Sequence, residues 1–197
     1  MGKRMGRKRL YSLEKLGQTN DNAPAASIAD AVVSSKLSRD GAQITTEIVI
    51  DLGKSGNALT SCSSTDTIIG VSSSTGTHSA AHIGRITEAV NGIITDAEVI
   101  VSELPVTGEL DIDLRYNSSS TLGFSSSAGG AILVDSDGDA VKGRTKTGAL
   151  DANQAENDYL YLATGAAHGT PGTAAQTYTS GKLVIRLIGV AVTGDAA

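Results

Sequence analysis

From Gln43 onward the chain alternates apolar and polar residues with a period of two, and this pattern limits its fold more than any other feature. Ile44, Thr46, Ile48, Ile50 and Leu52 fall on one side of an extended segment, with Thr45, Glu47, Val49 and Asp51 on the other. Successive side chains of a strand point to opposite faces, so such a run buries one face and leaves the other wet. The alternation recurs at Leu110, Ile112, Leu114 and Tyr116 against Asp111, Asp113 and Arg115, which predicts a second strand with one wet face. It recurs again where Leu183, Ile185 and Leu187 oppose Lys182, Val184, Arg186 and Ile188.

Less regular apolar runs lie between these segments, at Thr67 to Val71, His82 to Thr87, Gly92 to Leu104, Ala131 to Val134 and Tyr159 to Thr164. Turn-forming clusters such as Asn91-Gly92, Thr107-Gly108 and Gly165 to Thr173 separate them, and no helix with caps and a 3.6 period follows residue 40. About eight short strands with this spacing predict an all-β fold, an antiparallel β-sandwich with jelly-roll topology. Ile93, Ile94, Val99, Ile100 and Val101 are apolar on both faces, so that strand is either central or covered by a neighbouring subunit.

At 197 residues the chain is long enough for one domain with a proper core. Aromatics are 3 %, with no Trp and one Phe, so the expected core is Ile, Val, Leu and Ala. The formal charge of −5 conceals an asymmetry. Lys3, Arg4, Arg7, Lys8, Arg9 and Lys15 against Glu14 give the first sixteen residues +5, leaving 10 basic and 20 acidic residues, or −10, for the rest. Such a terminal block orders only against an acidic surface or a polyanion. Residues 1–42 therefore read as a basic extended arm and linker and 43–197 as the sandwich. The arm's anchoring residues would be Lys3, Arg4, Arg7, Lys8, Arg9, Leu10, Tyr11, Leu13 and Leu16. A second weak apolar patch at Ile28, Ala31, Val32 and Val33 reads as an edge strand or as a segment lying on a neighbouring subunit.

Motifs for chemistry are sparse. Asp135, Asp137 and Asp139 alternate and could converge on Ca²⁺, but an EF-hand needs Gly at its sixth position and Glu at its twelfth. Here Gly138 is fourth and Lys146 twelfth, so a polar hairpin turn is the preferred reading and the three aspartates stay weak metal candidates. His78 and His82 have the i, i+4 spacing of zinc-binding helices in a segment that does not read as helix, and His168 lies in a Gly-rich loop. The chain has no G-x-S-x-G elbow, phosphate loop or HExxH. Asp111/Asp113 and Glu98/Glu103 could pair as glycosidase carboxylates, with Tyr159 and Tyr161 as a small sugar platform. Packing is the preferred use of those tyrosines. Cys62 stands alone among Ser61 to Ser64, which excludes an internal disulfide and suggests an inert loop thiol. No cofactor and no enzymatic activity are expected. No stretch approaches the length of a membrane span, so no membrane partner is expected either, and the chain reads as soluble.

In order along the chain, Ile44-Thr-Thr-Glu-Ile-Val-Ile-Asp-Leu52, Thr67-Ile-Ile-Gly70, His82-Ile-Gly-Arg-Ile-Thr87, Asp111-Ile-Asp-Leu114, Asp158-Tyr-Leu-Tyr-Leu162 and Tyr178-Thr-Ser-Gly-Lys-Leu-Val-Ile-Arg-Leu-Ile-Gly189 resemble structural proteins of marine tailed bacteriophages. The resemblance covers most of residues 43–189 and brings no catalytic residues with it. It implies a virion protein on the phage head surface, assembled in the host cytoplasm and present in many copies. The economical role is a capsid decoration or cement protein, with the major capsid protein and itself, as a homo-trimer, for partners. Two rival expectations come from other classes. One is a carbohydrate-binding or adhesion module on the virion. The other is a jelly-roll shell protein whose arm contacts packaged genome, disfavoured because aromatic interleaving is nearly absent and the rest of the chain is acidic.

Overall fold

The computed structural model describes residues 23–62, 64–72, 78–129, 132–134, 157–165 and 175–191, and the backbone of 145–147. Within them the strands are β1 (Val32–Asp40), β2 (Gln43–Asp51), β3 (Thr60–Ser61), β4 (Gly84–Arg85), β5 (Ile93–Val106), β6 (Ile112–Asn117), β7 (Ile132–Val134), β8 (Thr145–Thr147), β9 (Tyr159–Thr164), β10 (Gln176–Thr177) and β11 (Ser180–Val190). Helix is confined, among the described residues, to a 3-10 turn (Ala26–Ile28) and one α-turn, α1 (Glu88–Asn91).

One sheet has the order β1-β2-β11-β5-β8 and the other β4-β9-β6-β7, while β10 and β3 form a short ribbon. All pairings between these strands are antiparallel, which gives the expected all-β sandwich. The jelly-roll connectivity does not follow from these strand orders. β11 is the spine of the larger sheet, aligned with β2 from Lys182↔Asp51 to Val190↔Gln43 and with β5 on its other side.

The period-two reading holds in this sheet. Ile44, Ile48 and Ile50 of β2 and Leu183, Ile185 and Leu187 of β11 are buried, and so are Ala97, Val99 and Val101 of β5. All of these except Ile44 meet Ile112, Leu114, Tyr116, Leu160 and Leu162 of the other sheet in a single cluster. Each fully buried aliphatic side chain contributes about 1.5–3 kcal/mol from removal of its surface from water. β5 lies between β11 and β8, but its outward apolar residues Ile93 and Ile100 remain exposed and half-buried, respectively. α1 closes one end between the sheets. Thr87 caps it by accepting from Val90 N at 3.3 Å, and Asn91 Nδ2 donates to Thr46 Oγ1 at 2.8 Å.

Three expectations change. The boundary at residue 42 falls inside a hairpin, because β1 pairs with β2 through a two-residue Gly41-Ala42 turn. Gly41 has φ +60°, the value a primed hairpin turn requires at its first central residue. Ala25, Ile28 and Ala31 are buried, and their segment is tied down by Ala25 N donating to His82 O and Asp51 N to Ala31 O, both at 2.8 Å. Residues 25–42 are thus part of the sandwich, and residues 1–22 lie outside the described residues. The core also holds tyrosines. Tyr161 and Tyr178 are its largest fully buried side chains, and their hydroxyls donate to Ser119 O at 2.6 Å and Glu109 O at 2.8 Å. The third change concerns β6.

Candidate functional site

β6 lacks the wet face that its alternation predicts. Asp111, Asp113 and Arg115 are 0 %, 1 % and 3 % exposed, although they stand on the face opposite the core residues Ile112, Leu114 and Tyr116. For Arg115 the reason is the loop that follows. Residues 118–129 fold back over the strand and are fastened to it from several points. Arg115 Nη1 donates to Gly129 O at 2.6 Å, Asn117 Nδ2 to Ala128 O at 3.5 Å, and Tyr161 of β9 to Ser119 O. Arg115 Nη2 also pairs with Asp66, whose side chain is half exposed, and lies 3.6 Å from Asp113 Oδ2. Five fixed donors let one guanidinium serve a loop carbonyl and two carboxylates at once. At Gly165, whose N–H donates to Asp111 O at 2.8 Å, a Cβ would stand 2.3 Å from Asp111 Oδ2, so only glycine lets the backbone pass this carboxylate. Beside it Thr164 Oγ1 donates to Ser64 O at 2.6 Å and lies 3.0 Å from Thr67 Oγ1.

The outer face of the five-stranded sheet is different in kind. Arg186 of β11 bridges Glu47 of β2 at 3.1 Å and Glu98 of β5 at 3.3 Å. Two pairs along, Lys182 lies 2.7 Å from Glu103 and 4.0 Å from Asp51. Between these charged rows the register sets Val49, Val184 and Ile100 side by side, each only half-buried. Hydrogen bonds donated to the flanking carboxylates, by Lys182 to Glu103 and by Arg186 to Glu47 then Glu98, raise the pKa of both cations.

A cluster of rings lies at the β4 edge of the smaller sheet. His82 packs against Tyr159 at 4.9 Å with the rings tilted by 57°, and Tyr159 also carries the Arg85 guanidinium at 5.5 Å from its centroid. Burial lowers the His82 pKa, and His82 Nδ1 and Arg85 Nε have no hydrogen-bond partner among the described residues. The cleft between the β1 and β4 edges, lined by Leu37, Ile48, Arg85, Val90, Asn91 and Leu160, has a volume of about 20 Å³. That is room for one water and no organic ligand.

The residues singled out in the sequence are dispersed. His78 packs edge-on against Phe124 at 5.0 Å while His82 packs on Tyr159, and His168 lies outside the described residues. Among the described residues no three His, Cys, Asp or Glu side chains are grouped to hold a metal ion. Asp135, Asp137 and Asp139 lie outside the described residues, as do the arm residues Lys3, Arg4, Arg7, Lys8, Arg9, Leu10, Tyr11, Leu13 and Leu16. Tyr161 cannot be a sugar platform, being fully buried with its hydroxyl pushed up to about 12 by burial. Asp111 and Asp113 are sealed, and Glu98 and Glu103 are bound into the surface rows. Cys62 is a half-buried free thiol. No described helix is long and apolar enough to cross a membrane. The Arg115 clamp is what sequence reasoning missed. A visible signal was the unusual Arg at i+4 from Asp111 and i+2 from Asp113 on one strand face, directly before a long Ser/Gly loop. No family model, no curated protein and no solved structure matches this chain.

Proposed function

We propose that the chain is a virion structural protein, a decoration or cement module that binds the major capsid lattice and stabilises a phage head. The observation that carries this reading is the division of the molecule. The described interior is packed by a single hydrophobic cluster and internally paired charges, the cleft between the β1 and β4 edges has room for about 20 Å³, and a +5 segment precedes the sandwich. A molecule built this way acts through its outer surfaces and its terminal segment. The likeness of its strand segments, in order, to structural proteins of marine tailed phages supports the setting. A lattice of repeated sites multiplies weak contacts, so a small module with a charged tether can be held firmly.

Electron cryomicroscopy of intact virions tests the reading directly. A two-sheet density of this size repeated over the outer head is the expected result, and a head surface without it would refute the proposal. Deleting residues 1–17 is expected to reduce head occupancy. Unchanged occupancy would remove the arm from the mechanism.

A further inference from the structure

We infer that the outer face of the five-stranded sheet is the docking surface for the basic arm, residues 3–16, of a second copy of this chain. The inference deepens the proposed function, since it rests on the chain acting in many copies.

The face is built in cross-strand rows. Aligned pairs place Asp51, Lys182 and Glu103 in one row, Val49, Val184 and Ile100 in the next, and Lys36, Glu47, Arg186 and Glu98 in a third. Beyond these lie Thr45, Ile188 and Asp96, and then Asp40, Gln43, Val190 and Ile93. Counted across the rows, six carboxylates stand among three cations, so the face carries an excess of three negative charges. The cations occupy β1 and the central β11, while β2 and β5 are acidic rails on either side of β11. Val190 and Ile93 meet as an aligned pair, 44 % and 55 % exposed.

This arrangement selects its occupant. A second copy of the same face does not fit it. With the two-fold axis along β11, Glu47 lies over Glu98 and Asp51 over Glu103 of the other copy. With the axis along the Val49–Val184–Ile100 row, Arg186 lies over Lys182 and Glu47 over Asp51. Both stackings set like charge on like charge, which opposes association. The arm has the complementary character, six cations to one carboxylate with Leu10, Leu13 and Leu16 among them. Its cations match the acidic rails and its leucines the apolar rows.

The origin of the arm favours a neighbouring copy over its own. Ala25 is hydrogen-bonded to His82 O, beside β4 of the other sheet, so an arm reaching its own face would have to round the β1 edge. Twenty-two residues precede the first described one, and extended they span up to about 70 Å, enough to reach an adjacent molecule.

Light scattering on the full chain, from about 50 mM to about 500 mM salt, tests this. The wild type is expected to self-associate at low salt and dissociate as salt rises. Arg7→Glu/Lys8→Glu/Arg9→Glu and Glu98→Lys/Glu103→Lys should each weaken association by about tenfold or more, because several surface ion pairs are lost together. Combining the two sets should restore it. A chain that is monomeric at low salt, variants that associate like wild type, or a cross-link joining arm and face within one molecule would each overturn the inference. Head localisation is read separately: a virion protein that stays monomeric keeps the proposed function and loses this inference, and an arm-linked oligomer absent from virions does the reverse.

Discussion

The outward faces of the two sheets carry similar sequence and meet opposite fates. β6 sets Asp111, Asp113 and Arg115 between apolar residues, and β11 does the same with Lys182 and Arg186. On β6 the charges are buried, Arg115 beneath the 118–129 loop with its side chain 4 % exposed and Asp111 against Gly165; on β11 they stay in water, with Arg186 at 44 % and Lys182 at 46 %. Alternation therefore reports which residues leave the core and says nothing about what lies over them. A charge under a loop is a structural fastener whose desolvation must be offset by close partners. A charge on an open sheet is a weakly held, screenable surface feature.

The largest difference should come from removing one cation on each face. Arg115→Met is expected to cost about 3–5 kcal/mol in urea unfolding, because Asp113 stays buried without the guanidinium. Arg186→Met should change stability by less than about 1 kcal/mol, and by less still in high salt. Equal losses would abolish the contrast between the faces. Next in size, Gly165→Ala should cost about 1–3 kcal/mol by driving a methyl into the Asp111 carboxylate. Tyr161→Phe should cost about 1 kcal/mol and speed proteolysis of the 118–129 loop. In the wild type this tyrosine should ionise only near pH 12, by absorbance titration, while exposed phenols ionise near 10. The smallest effect concerns His82. Burial holds its folded-state pKa below 6.5, so the unfolded chain takes up the proton first as pH falls. Stability is whole above that value and declines below it. Thermal melts of His82→Phe should show a shallower decline between about pH 7 and 5 than wild type, and parallel curves would exclude His82 as the source.

The larger sheet was legible in the sequence because it obeys the simplest rule. β2 and β11 bury every second residue, and the Ile44 and Leu183 runs mark them without reference to anything distant. The smaller sheet was not, because its outward face is covered by chain arriving from 118–129 and 64–67, and no local pattern encodes a cover. Asp111 and Asp113 thus read as solvent markers when they are interior groups. β1 was half legible. Ile28, Ala31, Val32 and Val33 marked an apolar patch as a candidate edge strand, but the charge block before it drew the arm boundary too far along, past the Gly41 turn that makes the hairpin. The tyrosines show the same limit, since low aromatic content fixed their number and not their depth.

β11 has a consequence for how the molecule is made. It is the last described strand along the chain and sits between β2 and β5 in the larger sheet. The Arg186–Glu47 contact joins positions 139 apart. Until β11 emerges from the ribosome, the β1–β2 hairpin and β5 each present an unpaired hydrophobic strand edge, the geometry that invites misassembly between nascent chains. Closure of the sheet is thus a late, long-range event, and folding should be slow for the chain's size. A ribosome stalled before residue 180 would hold a half-built sandwich with its central slot open.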